Sequence, residues 1–467
     1  MTGNGLRELA RFAAESDSRR LPAEIVEKAR ACLLYGMAVG VACMGVKQPA
    51  QAVRAVADAG TGNATRFFDD GKGGAALAAF ANGVLFHSRV QDDAHPAGHV
   101  GVVVIPAALA MAETVGVAGS DLLAALVAGY ETALRIGRDH ASDLSARGFR
   151  TTPTYGVFGA AAAAGRLLRL DAVQMTHALS LAANMPGGLR EYSESGSEDF
   201  PFQAGSAAQN GIMAARLAAA GATSAPSALD GKAGFFRAYG EPGQPYAARL
   251  TLDLGTVFEM LAVTYKPYPI CQFHRGIVRG ASALRERAGA AQLASLQISM
   301  HPFEADFFGV RFAGPFETFP QTFMSAPFCA ALAWARGDAT LAGLTDFGAK
   351  DVLSLVPRIS MIADPGRERF GPRVEARLAD GTVLDWEEQD RADGYVLTWD
   401  TARRMAASLT AEVGVAPEST ERLVVAVERL HASPGVDALI GAMREACGSV
   451  RGHGRRAQPD AAVSRVP

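Results

Sequence analysis

Through its first half the chain moves from one helical segment to the next, and two of these, 160–170 and 203–220, are dominated by alanine and other small residues. Such helices have little apolar bulk to offer as one face of an exposed amphipathic helix. Their backbones can approach closely, so the pattern predicts a buried bundle. Leu21-Pro22-Ala23-Glu24 opens a segment running towards Met44, with a proline suited to a first helical turn. Ser120-Asp121 is expected to cap a helix over 122–139, and Asp171 one that carries Met175, Leu179 and Leu181. Nothing in these segments suggests a repeat array.

The periodicity changes near Tyr265. Gln297-Ile298-Ser299-Met300 and Arg358-Ile359-Ser360-Met361-Ile362 alternate as strands do, with a helical stretch, 319–336, between them. Segments 373–378 and 382–386 flank Asp380-Gly381, a hairpin signal. Helical spacing returns at about Thr401 in three segments that end near Cys447. The predicted fold class is mainly α. A large all-helical domain formed from both chain ends, 1–263 and 400–450, carries an inserted, smaller α+β domain over 264–399. The tail, 451–467, lacks periodicity and is expected to be disordered.

Two domains suit a length of 467 residues. The formal net charge of −3 lacks the basic excess of a nucleic-acid binder. The cysteines (Cys32, Cys43, Cys271, Cys329 and Cys447) are scattered with no CxxC pair, which argues against a disulfide framework or a cysteine-rich zinc site. The opening residues lack the basic-then-apolar order of a signal peptide. The most apolar stretch, 100–111, contains Pro106 and falls short of the roughly 20 residues that a spanning helix needs. The expectation is a cytoplasmic protein with no nucleic-acid or membrane partner. There is no phosphate-loop motif, and no nucleophile-elbow pattern surrounds Ser195.

Several short stretches occur in a specific order. Asn82-Gly83 and His87 precede Asp92-Asp93, then come His99 and Ile105-Pro106-Ala107-Ala108-Leu109-Ala110. Gly148-Phe149-Arg150, Gly156-Val157-Phe158-Gly159, Gln203-Ala204-Gly205 and Lys266-Pro267-Tyr268-Pro269 follow. Over nearly the whole chain this series resembles the MmgE/PrpD family, the family of methylcitrate dehydratase and cis-aconitate decarboxylase. The resemblance implies a homodimer whose middle segment forms a lid domain, with the active site in the cleft between lid and helical domain. It also implies no metal and no cofactor. Small di- and tricarboxylates would react by proton transfer at carbon, held by cationic side chains.

Carried over position by position, the family's catalytic set is largely rewritten. The Asp-x-Asp-Asp-Thr run reads Val90-Gln91-Asp92-Asp93-Ala94, without its leading carboxylate and its threonine. His99 and Lys266 are kept. The histidine of a Phe-His pair is Arg150, a lysine falls on Phe200, and the histidine after it on Gln203. The histidine five residues after Lys266 is Cys271, a later Thr-His pair reads His274-Arg275, and a lid tyrosine falls on Ala326.

On this reading His99 and Lys266 are the catalytic pair. A histidine titrating at about 6.5 exchanges protons near neutrality, and a desolvated lysine either pairs with a carboxylate or acts as a base. Arg150, Arg275, Asp93, Phe200, Gln203, Ala326 and Cys271 are the candidate substrate-binding residues. Bland alternatives stand beside these roles: Lys266 as a solvated hinge residue, Arg150 as a surface arginine of a flexible loop, and Cys271 as a partly buried structural thiol. Asp92-Asp93 reads first as a structural dyad whose side chains diverge, one of them orienting His95 or His99. A metal held by His95 and His99 is disfavoured by Pro96 and Gly98. The apolar residues at Val90, Ala94, Phe200 and Ala326 predict a roomier, less polar pocket, poorly matched to a triply charged substrate. The expected substrate is a small-molecule carboxylate or β-dicarbonyl with a bulky apolar part, and the expected reaction that of a lyase or isomerase. A binding protein that has lost the chemistry is the alternative from another class.

Overall fold

A computed structural model describes residues 3–57, 60–391 and 393–457 of the chain, which is mainly α-helical with a few short strands. The chain divides into two compact units. One comprises Met1–Gly188, Pro201–Val263 and Leu397–Pro467; the other comprises Leu189–Phe200 and Thr264–Val396. Membership of the 189–200 stretch in the second unit is a feature that no periodicity announced.

The helices of the first unit that matter for the site are α1 (Ala23–Ala42), α2 (Ala75–His87), α3 (Gly101–Val115), α4 (Gly119–Gly137), α5 (Thr151–Leu167), α6 (Ala172–Ala182) and α7 (Phe200–Ala219). α5 packs on both α3 and α4, and α2 packs on α3. Small residues make this possible. A Cβ on Gly129 would stand 2.8 Å from the Gly159 carbonyl oxygen, and one on Gly159 would stand 2.7 Å from that of Gly129, so neither position accepts a side chain. The helix Trp399–Glu412, from the last part of the chain, lies along α1, which puts both ends of the chain in one core. Among the described residues no single helix is long and apolar enough to cross a membrane.

Asp171 caps α6 through a reciprocal box with Gln174. α4 starts earlier than expected: its N-cap is Ala118, and Ser120 and Asp121 lie within the first turn. The Gly119 amide is satisfied from outside the helix, by the Ser433 carbonyl at 3.0 Å. The last helix, Asp437–Ala457, runs beyond Cys447, so the expected disordered tail begins inside a helix. Residues 458–467 lie outside the described residues.

In the second unit α8 (Arg275–Ala288) packs on a four-stranded sheet. The strands are β1 (Leu293–Met300), β2 (Ile359–Ala363), β3 (Arg373–Leu378) and β4 (Val383–Glu387), in the order β2-β1-β3-β4. β1 is parallel to β2 and antiparallel to β3, and β3 and β4 form the expected hairpin. Leu296, Ile298, Val374 and Ala376 are buried. The helix expected over 319–336 is two helices, Phe319–Met324 and Ala326–Arg336. Ser325 breaks the run by adopting an extended conformation and caps the second helix, accepting from the Phe328 amide at 3.0 Å.

One buried cation fastens the helical unit. Arg135 of α4 donates to Glu131 at 3.0 Å, to the Leu252 carbonyl at 2.9 Å and to the Val257 carbonyl at 2.5 Å. Replacing it with methionine would leave the fully buried Glu131 carboxylate without its cation. Arg135→Met should cost about 3–5 kcal/mol in denaturant unfolding followed by circular dichroism. Arg135→Lys should recover little, because one ammonium cannot meet three divergent acceptors.

Candidate active site

Two elements of the first unit converge on one polar cluster. His87 ends α2, and Arg150 occupies the N-cap position of α5, its amide held by the Gly188 carbonyl at 3.0 Å. Between them in sequence lies the loop from Arg89 to Val100, which carries Asp92, Asp93 and His99. The Arg150 guanidinium donates through Nη1 to Gln203 Oε1 at 3.3 Å and through Nη2 to His87 Nε2. His87 Nδ1 lies 3.1 Å from Asp92 Oδ2, which is also 3.5 Å from His99 Nδ1. The His87 and His99 ring centroids are 6.2 Å apart.

These contacts fix proton positions. A guanidinium only donates, so His87 Nε2 is an acceptor and its ring proton sits on Nδ1, the nitrogen nearer to Asp92. His99 Nδ1 lies 2.7 Å from the Asp93 main-chain oxygen, which only accepts. The His99 proton is therefore on Nδ1, and Nε2 is the basic nitrogen of the neutral ring. The His99 amide is held as well, donating to Thr152 Oγ1 in the first turn of α5 at 3.1 Å. His87 and Asp92 are sealed in, whereas His99 keeps 19% of its side chain exposed. Of the two histidines, His99 is the one that a ligand can reach.

Asp93 points the other way. Its carboxylate accepts from the Tyr130 hydroxyl of α4 at 2.5 Å and from the Gly101 amide at 3.3 Å. Gly101 opens α3, whose N-cap, Val100, has no side-chain acceptor to offer, so Asp93 satisfies that helix end from within the preceding loop. Burial raises the Asp93 carboxyl to about 6, opposed by the Tyr130 hydrogen bond. The carboxylate expected to meet substrate is thus built into the loop's own framework.

The surface-arginine reading of Arg150 fails, because Arg150 is only 3% exposed. His95 does not join His99 as a metal ligand. Its Nδ1 accepts from the Ala97 amide at 3.1 Å and its Nε2 faces Glu259 at 3.7 Å. Among the described residues no group of three or more His, Cys, Asp or Glu side chains is arranged to hold a metal. Sequence reasoning missed His87 and named Asp92 only as half of a dyad, one member of which orients His95 or His99. The signal was present, since both stand in the series that carries the family resemblance.

In the second unit Lys266 is 1% exposed, which removes the reading of a solvated hinge residue. Cys271 is a half-buried thiol pushed up to about 11, chiefly by desolvation, with a hydrogen bond from the Phe273 amide and the positive charges of Lys266 and Arg190 opposing. It is not a ready nucleophile at neutral pH. Arg275 serves the backbone: it donates to the carbonyls of Tyr265 and Gln272 at 3.1 and 3.2 Å, and its guanidinium lies 4.1 Å from the Tyr395 ring. Phe200 is packed between Tyr192 and Phe323, each 5.5 Å away ring to ring. Ala326 is buried at the start of its helix, its amide on the Val310 carbonyl at 2.9 Å.

Residues 7–247, just over half of the chain, match the profile of the MmgE/PrpD N-terminal domain. The chain belongs to the MmgE/PrpD family. Among similar proteins, a cis-aconitate decarboxylase-like protein of Aspergillus oryzae is 32% identical over 245 residues, 50% of this chain and 51% of that protein. The cis-aconitate decarboxylase of Aspergillus terreus is 27% identical over 294 residues, 60% of each. The human cis-aconitate decarboxylase is 30% identical over 219 residues, 45% of this chain and 44% of the human protein. This MmgE/PrpD chain therefore spans about half the length of the curated relatives it matches.

Asp93 gives a titration test within the MmgE/PrpD helical unit. Its folded value, about 6, lies above the ordinary 3.8, so the folded chain holds this proton more tightly than the unfolded one. The stability it contributes is full below the ordinary value and is lost as pH rises through about 6. Asp93→Asn lacks this dependence. Its stability relative to the parent should therefore rise by about 2 kcal/mol between about pH 4 and pH 7 in denaturant unfolding, and a difference that stays flat with pH would contradict the assignment.

Proposed function

We propose that this chain is a cofactor-independent lyase or isomerase acting at the carbon α to a carbonyl or carboxylate. The observation that carries the reading is the His99 ring, its Nδ1 proton committed to the Asp93 carbonyl at 2.7 Å beside the buried Arg150–His87–Asp92 chain. His99 Nε2 removes the proton at carbon, and the C–H electron pair moves into the carbonyl to give an enolate. A guanidinium next to that centre offers fixed positive charge where negative charge develops. Arg150 cannot itself exchange protons at working pH, so its part is electrostatic. Lys266, buried in the second unit, is proposed as the second cationic group. Dehydration, decarboxylation, epimerisation and cyclisation all pass through such an enolate. The proposal includes a homodimer and a cytoplasmic location.

The proposed substrate carries one carboxylate or a β-dicarbonyl and a bulky apolar portion, as an intermediate of specialised metabolism would. Support comes from the apolar residues where the family places charge or hydroxyl: Val90, Ala94, Phe200 and Ala326 are all buried. A second reading, decarboxylation of cis-aconitate, is favoured by the names of the relatives.

Replacing His99 with Gln should lower turnover at least about a hundredfold, and Lys266→Met should do the same, with circular dichroism unchanged. Full activity in both variants would overturn the assignment. Given a panel of substrates, the purified protein should turn over apolar-substituted β-keto acids faster than cis-aconitate or 2-methylcitrate. Ordinary enzymatic rates on either of those two would sink the less-charged substrate and favour the second reading.

A further inference from the structure

We infer that Tyr130 and the Asp93 side chain are positioning residues for His99, holding in place the Asp93 carbonyl that receives the His99 Nδ1 proton. The inference rests on the role proposed for His99 but concerns the state of the ring, not its turnover.

The loop from Asp93 to Gly101 is closed by its own first side chain. Asp93 Oδ1 takes the Gly101 amide at 3.3 Å while Oδ2 takes the Tyr130 hydroxyl at 2.5 Å, so one carboxylate ties both ends of the loop to α4. Room for this clasp requires glycine at Gly101, because a methyl group there would collide with both the Tyr130 hydroxyl and the Asp93 carboxylate. Burial raises the Tyr130 phenol far above its ordinary value, so Tyr130 remains a donor at every working pH. From α1, Lys28 and Cys32 also bear electrostatically on Asp93, and Asp92 stands beside it in the chain.

Two acceptors compete for the His99 Nδ1 proton. The neutral Asp93 carbonyl lies at 2.7 Å and the Asp92 carboxylate at 3.5 Å. A carboxylate would stabilise the doubly protonated imidazolium, which has no lone pair with which to act as a base. A carbonyl fixes the tautomer without adding that charge. The clasp decides the contest by geometry, because a carboxylate pinned at both oxygens restrains the backbone of the same residue and with it the Asp93 carbonyl.

The test is the 15N spectrum of histidine-labelled protein, in which the His99 signals are assigned by their loss in His99→Gln. The parent should show neutral His99 protonated on Nδ1. Tyr130→Phe and Asp93→Ala should each move the His99 nitrogens towards a mixed population, and Asp93→Asn, which keeps one oxygen for Tyr130 but sets an amide NH2 against the Gly101 N–H, should fall between Asp93→Ala and the parent. Because the chain has 9 histidines, the other signals report whether each variant is folded. Tyr130→Phe removes a single oxygen atom and is the variant on which the inference stands. If that variant leaves the His99 nitrogens unchanged, or if Asp93→Asn disturbs them as much as Asp93→Ala does, the inference is wrong. These outcomes are separate from those of the proposed reaction. Retained turnover in His99→Gln would remove the reaction and leave the tautomer result standing.

Discussion

Two adjacent carboxylates, Asp92 and Asp93, are buried in the helical unit, and the surrounding architecture has to satisfy both. An unpaired buried carboxylate costs several kcal/mol, and two side by side repel one another as well. The chain solves this by sending them apart. Asp92 turns to the two histidines, one of which is backed by a permanent guanidinium. Asp93 turns to a phenol and a helix-end amide. The glycine at Gly101 and the placement of Arg150 at the head of α5 follow from that division.

Local signals in the sequence are reliable wherever the deciding interaction is itself local. The Asp380-Gly381 hairpin joins strands that follow one another, and Asp171 caps the helix it immediately precedes. The divergence of Asp92 and Asp93 is legible for the same reason, since neighbouring side chains seldom leave the backbone in one direction. Residue spacing misleads where a distant partner decides. α4 begins at Gly119 because the Ser433 carbonyl is there to receive its amide, a partner that sequence spacing cannot reveal. By spacing alone Ser325 is an interior helical residue, yet its hydroxyl caps the helix that follows it.

The site shows the same division. His99 and Arg150 can be singled out one by one from the family pattern. Their connection runs through His87, which is 63 residues from Arg150 in the chain and ends an apolar helix. Arg150 taken alone resembles a loop residue free to face solvent. Only burial shows that its guanidinium is spent on ordering a histidine.

Where the family resemblance implies a histidine, this chain has Arg150, and the chemistry changes with it. A histidine at that position could share protons with His87; an arginine cannot, and by donating to Nε2 it holds His87 in one neutral tautomer. One exchangeable position has become fixed charge, and His87, sealed between Arg150 and Asp92, cannot meet a ligand. In the proposed reaction, proton transfer to a ligand then falls to His99, the partly exposed histidine of the pair. The requirement on the loop is correspondingly strict, because a cluster with one accessible base has no second residue to compensate if that base presents the wrong nitrogen.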